Sequence, residues 1–201
     1  MLKSRTFIAT PAYRGEVVMQ YAHCLVRDSI LAIAAGHFIN PPYAINDTLI
    51  HNARNHALKA FLESDLDNLV FIDADMGWEE GALVRLIEAS GDVVCGLYRT
   101  KEDNENYPFS SLPQGFNGGE ILAGPTGFMK ITRGCAERIS KLHERPFEFV
   151  GTKGEDIVFC ERVHEAGMKI MGLADIHFEH VGPKVWSGRA SDFLFPKAKA
   201  A

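Results

Sequence analysis

The sequence predicts an α/β protein: a mainly parallel β-sheet with helices on both faces, in a single domain. Two observations carry this. Short apolar runs alternate with helical patterns three times in the first hundred residues, the order that strand–helix–strand crossovers impose. The chain has 201 residues, 46% hydrophobic and 23% charged, with no internal repeat and no linker long enough to separate a second domain from the first. A chain of this length buries enough apolar surface to hold a core without disulfides or a structural metal.

Residues 7–10 form a short apolar run ended by Pro11, and so a buried strand. Residues 16–35 have helical spacing, with Gly36 where a left-handed residue closes a helix. Phe38-Ile39 begins a second strand, cut short by Pro41-Pro42. Asn46-Asp47-Thr48 supplies caps for a helix running to Glu63. Residues 68–72 are the clearest strand, ending in Asp73-Ala74-Asp75. An amphipathic helix over 79–90 has acidic residues in its first turn, where the helix dipole favours them. Residues 92–98 are a further strand. Residues 101–118 are polar and turn-rich (Asn104, Pro108, Pro113, Gly115), and a loop of that length is expected to act as a lid or to be disordered. Residues 121–123 and 128–131 read as strands on either side of Gly124-Pro125-Thr126-Gly127. Helices are expected over 134–142 and 155–166, the second closed by Gly167, then a strand over 169–173 and a continuation over 176–182. The domain is expected to span 1–183. A short, weakly patterned tail over 184–201 carries Trp186, Phe193 and Phe195.

Charge and composition exclude several classes. The net charge is −5, from 21 basic and 26 acidic residues, with no block of Lys or Arg. Bulk nucleic-acid or anionic-membrane binding has no electrostatic footprint here. No apolar run reaches the length of a membrane span, and the N-terminus lacks a signal-peptide pattern, so a cytoplasmic location is expected. Cys24, Cys95, Cys135 and Cys160 have neither zinc-knuckle nor redox spacing and read as buried thiols in a reducing compartment.

In sheets of this kind ligands bind outside the carboxyl ends of the strands. Thr10-Pro11 and Asp73-Ala74-Asp75 both lie at such ends. Two carboxylates at i and i+2 project the same way from an extended backbone and repel each other. A hard divalent cation relieves that repulsion, and Mg²⁺ or Mn²⁺ typically takes one or two carboxylates plus phosphate oxygens. Aspartates also favour turns. Haloacid-dehalogenase phosphatases place such a pair after a strand too, but near the N-terminus and followed by Thr; here Met76-Gly77 follows. His177 and His180 come late, after an apolar strand. A lone histidine reads most simply as a solvated or core residue; alternation puts the two on opposite faces, and the His-Val-Gly context strengthens the case for His180 as the one returning to a metal. Gly154-Glu155-Asp156 opens a helix. Acidic residues suit that position electrostatically, and a carboxylate held there beside a pocket can act as a general base. Arg54 reads as a surface residue, or as a partner for a phosphate or for the first carboxylate of the acidic pair.

In order, Thr10-Pro11-Ala12-Tyr13, Asn52-Ala53-Arg54-Asn55, Phe71-Ile72-Asp73-Ala74-Asp75, Gly154-Glu155-Asp156 and His180-Val181-Gly182 resemble the GT-A (Rossmann-like) glycosyltransferases over residues 6–182. The resemblance is closest to the family 2 type and to its short stand-alone members in bacteria and their viruses. It implies transfer of a sugar from a nucleotide-diphosphate donor, UDP-linked by default, to an acceptor hydroxyl. It also implies Mn²⁺ or Mg²⁺ on the diphosphate and in-line displacement that inverts the anomeric centre, with a retaining course left open because retaining enzymes of this fold share the same metal site. By position, Thr10, Pro11 and Tyr13 would border the nucleotide, and Arg54 would orient the donor. Asp73 would face the ribose or join the metal, which Asp75 and His180 would ligate. Asp156 would be the base, with Glu155 beside it, and Gly124 and Gly127 would lie under the sugar or acceptor. The partners implied are a nucleotide sugar and a glycan, protein or small-molecule acceptor. An oligomer is left open. Two other readings compete. A sugar-nucleotide nucleotidyltransferase needs a Gly-rich basic loop after the first strand, of which Tyr13-Arg14-Gly15 is a poor version. A non-catalytic nucleotide-sugar-binding module has no need of Asp73, Asp75 and Asp156 together.

Overall fold

The computed structural model describes residues 2–103, 106–107, 112 and 116–194. Asn104, Pro108, Pro113 and Gly115 of the expected loop, and Phe195 of the expected tail, lie outside the described residues. The chain runs β1 (Ser4–Pro11), α1 (Met19–Ala34), β2 (His37–Ile39), β3 (Tyr43–Ile45), α2 (Ile50–Glu63), β4 (Asn68–Ile72), β5 (Met76–Trp78), α3 (Ala82–Glu88) and β6 (Val93–Gly96). It continues through β7 (Gly119–Ile121), β8 (Phe128–Thr132), α4 (Arg133–Leu142), α5 (Glu155–Glu165), β9 (Ile170–Leu173), β10 (Phe178–Val181), β11 (Val185–Gly188) and α6 (Ala190–Leu194).

Among the described residues the main sheet has the order β2-β1-β4-β8-β6-β9-β7, with β3 also pairing β1. It is mostly parallel: β1 pairs in parallel with β2, β3 and β4, and β6 with β9. The strand β8 runs antiparallel between β4 and β6. The central strand β4 shows why the sequence folds this way. Leu69, Val70, Phe71 and Ile72 are all inaccessible to solvent, as an unbroken apolar run must be when helices cover both faces. Leu69 and Phe71 join a core with Ala57 and Phe61 of α2, Ile139 of α4 and Phe159 of α5. Val70 and Ile72 join a second core with Tyr21 and Leu25 of α1 and Leu83 and Leu86 of α3.

A smaller antiparallel sheet, β11-β10-β5, lies beside the first. Its register sets His180 opposite both Met76 and Trp186. This sheet was not expected. Met76–Trp78 is too short, and too interrupted by Gly77, for any periodicity to show. Residues 185–194, read as weakly patterned tail, form β11 and α6. The strand β3 was hidden behind Pro41-Pro42. The helix α1 begins at Met19 rather than Glu16, because Val18 donates its N–H to the Ala74 carbonyl (2.9 Å) and so ties the helix start to the acidic turn. Gly36 closes α1 with φ 93°, as expected. The strand before Gly124 ends at Ile121 rather than Ala123. No described helix is long and apolar enough to cross a membrane. Cys24, Cys95, Cys135 and Cys160 are buried and unpaired.

Candidate active site

The carboxyl ends of β1, β4 and β6 meet the start of β8 and the amino end of α5, and two adjoining clefts open there. One, of about 380 Å³, is lined by Pro11, Tyr13, Val18, Asp73 and Asp75, among others. The other, of about 360 Å³, is lined by Arg54, Asp73, Tyr98, Lys101, Thr126, Glu155, Asp156 and His180, among others. Ile50 and Asp73 belong to both.

Asp73 leaves β4 with its N–H donated to the Gly127 carbonyl (3.0 Å). Both its carboxylate oxygens accept from Nη2 of Arg54, at 3.0 and 3.3 Å. Arg54 rises from α2 and is only 2% exposed. Its Nε donates to Oε1 of Glu155 at 3.4 Å. Burial alone would lower the pKa of the guanidinium, but the charges of Asp73 and Glu155 outweigh it and hold the pKa above its ordinary value. Arg54 therefore stays charged and ties the acidic turn to the start of α5. Its Nη1 is buried with no hydrogen-bond partner among the described residues.

Asp75 is turned differently. Its Oδ1 faces Nε2 of His180 at 3.7 Å, and Lys101 closes on Oδ2. The backbone fixes this approach: Val181 donates its N–H to the Asp75 carbonyl at 2.9 Å, because β10 pairs with β5 directly after the acidic turn. Nδ1 of His180 lies 3.0 Å from the Arg99 carbonyl. A carbonyl only accepts, so the ring proton sits on Nδ1 and the lone pair of Nε2 points to Asp75. Burial lowers the pKa of His180, with the Arg99 bond and Asp75 offsetting some of the fall. The imidazole is neutral at neutral pH. A neutral His with its other nitrogen tied to a carbonyl is the usual form of a metal ligand. Among the described residues no three His, Cys, Asp or Glu side chains form a complete metal cage. Asp75 and His180 offer one oxygen and one nitrogen, and Mn²⁺ or Mg²⁺ ordinarily completes its shell with substrate phosphate and water. The donor set fits such an ion.

Glu155 and Asp156 form the first turn of α5. Glu155 is engaged by Arg54, whereas Asp156 has no ion-pair partner among the described residues and its Oδ1 accepts only the Ile157 N–H (2.8 Å). Asn55 holds the approach to this helix with both ends of its amide, Nδ2 to the Phe147 carbonyl (2.7 Å) and Oδ1 from the Phe147 N–H (3.0 Å).

Three expected residues sit behind the cleft wall. Thr10 is buried and its hydroxyl is taken by the Tyr21 hydroxyl, whose pKa burial pushes up to about 12. A Cβ on Gly124 would lie 2.9 Å from Sγ of Cys95, so its smallness serves packing against β6. A Cβ on Gly127 would lie 2.3 Å from the Tyr98 hydroxyl and 2.6 Å from Asp73, so the smallness of that glycine leaves room for both side chains. Pro125 and Thr126 form the wall instead. His177 lines a separate pocket with Trp78 and Glu179. Sequence reasoning missed Lys101 and Tyr98. Tyr98 closes an apolar strand and looks like core; only its hydroxyl, accepting the Gly127 N–H at 3.0 Å, betrays it.

The solved structures with similar backbones decide the fold. They include A197 from STIV, 22% identical over 92% of this chain and 90% of that one, with a TM-score of 0.66. The catalytic domain of Drosophila β1,4-galactosyltransferase 7 in complex with xylobiose aligns at 11% identity, covering 98% of this chain and 76% of that one, with a TM-score of 0.55. GalNAc-T7 with UDP, GalNAc and Mn²⁺ aligns at 12% identity over 91% of this chain and 44% of that one, with a TM-score of 0.52. The fold is of the GT-A type. A mutant of the same galactosyltransferase with manganese, UDP-Gal and xylobiose also aligns, at 13% identity over 89% and 71% of the two chains, with a TM-score of 0.57. At such identities the likeness to GT-A enzymes is one of backbone. No family model matches the chain, and no curated protein matches it in sequence.

Proposed function

We propose that the chain is a metal-dependent glycosyltransferase that moves a sugar from a nucleoside-diphosphate donor, UDP-linked in the first instance, to an acceptor hydroxyl. One observation carries the reading. At the carboxyl ends of a GT-A sheet, Asp75 and the neutral Nε2 of His180 face each other across 3.7 Å, between two clefts. Asp75 and His180 hold the divalent cation, Mn²⁺ or Mg²⁺, with Asp73 supporting from the Arg54 side. The bound ion supplies a Lewis acid for the charge that builds on the leaving diphosphate.

The chain's own groups do the rest. Pro11 and Tyr13 border the nucleotide in the first cleft. Arg54 holds Asp73 and Glu155 in place on the donor side of the cleft. Asp156, free of any counter-ion among the described residues, takes the proton from the acceptor hydroxyl as the sugar–oxygen bond forms on the face opposite the leaving group. That in-line course inverts the anomeric centre.

Thermal unfolding with a panel of nucleotide sugars, with and without Mn²⁺, tests this. A ligand at a hundred times its Kd adds about 2.7 kcal/mol, a rise of about 5–10 °C in Tm for a chain of this size. One nucleotide sugar should stabilise the protein only when Mn²⁺ is present, and Asp75→Ala should lose the effect. Stabilisation by nucleoside triphosphates with Mg²⁺, and by no nucleotide sugar, would point instead to a nucleotidyltransferase. No stabilisation by any nucleotide would reduce the acidic pair to a turn.

A further inference from the structure

The two aspartates of the acidic turn each have their own cation. Asp73 is paired with the buried Arg54, and Asp75 with Lys101 on the segment after β6. The two pairs differ in kind. Arg54 is locked in the core at 2% exposure. The Lys101 and Asp75 side chains are 31% and 38% exposed, so their attraction is screened and readily exchanged. Lys101 also closes on the carboxylate that faces the free Nε2 of His180. An ammonium there holds the oxygen a divalent cation needs.

The segment carrying Lys101 is fastened to the hairpin β10–β11. The Arg99 carbonyl accepts from His180, Lys184 pairs with Asp103, and the stem of Lys101 passes Gly182, where a Cβ would come within 3.4 Å of its Cδ. A displaced Lys101 therefore stays at the cleft it already lines beside Arg54 and Thr100. Its ammonium, on a flexible four-carbon stem with three donors, suits a phosphate oxygen.

We propose that Lys101 is a displaceable internal cation. It neutralises Asp75 while no metal is bound, yields the carboxylate to the divalent ion, and carries its charge to the diphosphate of the donor. The step exchanges ion pairs and breaks no covalent bond. It rests on the reading of Asp75 and His180 as metal ligands.

Calorimetry with Mn²⁺ alone, then with UDP at saturating Mn²⁺, tests it on the wild type, Lys101→Met and Lys169→Met. Lys169 pairs with Glu120 at the opposite end of the strands, so its variant removes the same charge elsewhere. Lys101→Met should bind Mn²⁺ alone about three- to fivefold more tightly, as loss of an exposed competing ion pair allows. The same variant should bind UDP with Mn²⁺ about tenfold more weakly, as loss of a charged phosphate contact requires. Lys169→Met should match the wild type in both. A wild type that binds Mn²⁺ beside a Lys101→Met that binds it no more tightly overturns the exchange and leaves the metal site standing. An equal gain in Lys169→Met reduces the effect to net charge and overturns it too. Unchanged UDP affinity in Lys101→Met removes the hand-over to the diphosphate. A wild type that binds no Mn²⁺ sinks both this inference and the metal reading beneath it.

Discussion

Asp28→Asn should destabilise the fold far more than its single-atom change suggests. Asp28 lies on α1, fully buried, and each of its oxygens accepts twice. Oδ1 accepts from Arg27 Nε at 2.8 Å and the Gly81 N–H at 3.2 Å. Oδ2 accepts from Trp78 Nε1 at 3.1 Å and the Leu83 N–H at 3.0 Å. Gly81 and Leu83 belong to the amino end of α3, which has no side-chain cap of its own. Asp28 thus caps one helix from another and fixes β5 through Trp78. Asparagine keeps one oxygen and turns the other into a donor. In either orientation two N–H groups lose their acceptor and meet an N–H instead. Each buried donor left unsatisfied costs about 1–3 kcal/mol, and Arg27 is exposed enough to recover some of its loss in water. The expected sum is about 2–4 kcal/mol, a fall on the order of 10 °C in Tm for a chain of this length. Urea unfolding followed by circular dichroism measures it directly. Asp65→Asn, at a carboxylate 85% exposed in its pair with Arg5, serves as control and should stay within about 0.5 kcal/mol of wild type. If Asp28→Asn matched that control, the view of Asp28 as the remote cap of α3 would be refuted.

Two further predictions address the site and the sheet. Asp156→Asn should leave Mn²⁺-dependent stabilisation by the donor within about twofold of wild type while transfer, or the slow transfer to water, falls at least about a hundredfold; equal rates in a radiolabelled-sugar assay would remove Asp156 as the base. Lys130, on β8 and 4% exposed, donates to the Ile87 and Ala89 carbonyls at the end of α3, and burial lowers its pKa to about 8. The unfolded chain holds that proton up to about pH 10.5. Between pH 8 and 10.5 the unfolded state therefore binds more protons than the folded one, and the Lys130 contribution to stability rises with pH, by up to about 3 kcal/mol. Lys130→Met should abolish that rise, and parallel pH–stability curves for the two proteins would contradict the assignment.

What could be read from the sequence depended on range. The strand β4 was legible because a parallel strand covered on both faces leaves an unbroken apolar run, and its end was marked by two aspartates in a row of three. The start of α5 was legible because Glu155-Asp156 after Gly154 is chemistry local to a helix amino end. The strand β5 was not, since three residues carry no period and only pairing with β10 makes them a strand. Pairings across the fold were equally silent. Nothing near Asp28 in the chain announces that it caps α3, and nothing near Lys101 announces that it closes on Asp75. Gly124 and Gly127 look alike in sequence, yet one gives room to Cys95 and the other to Tyr98 and Asp73, a difference only packing creates.

The strand β10 also sets the order in which the molecule can be completed. Chains emerge from the ribosome amino end first. Once β9 has emerged, every strand of the main sheet is available to pair, and Asp73 and Asp75 already follow the carboxyl end of the central strand β4. His180 follows later, and it reaches Asp75 only when β10 docks on β5. A nascent chain halted at Leu173 has the strands of the main sheet and the acidic turn but lacks His180, one of the two side chains proposed to hold the ion. On the proposed reading, a ligand that needs both Asp75 and His180 is therefore met only by a chain that is nearly finished.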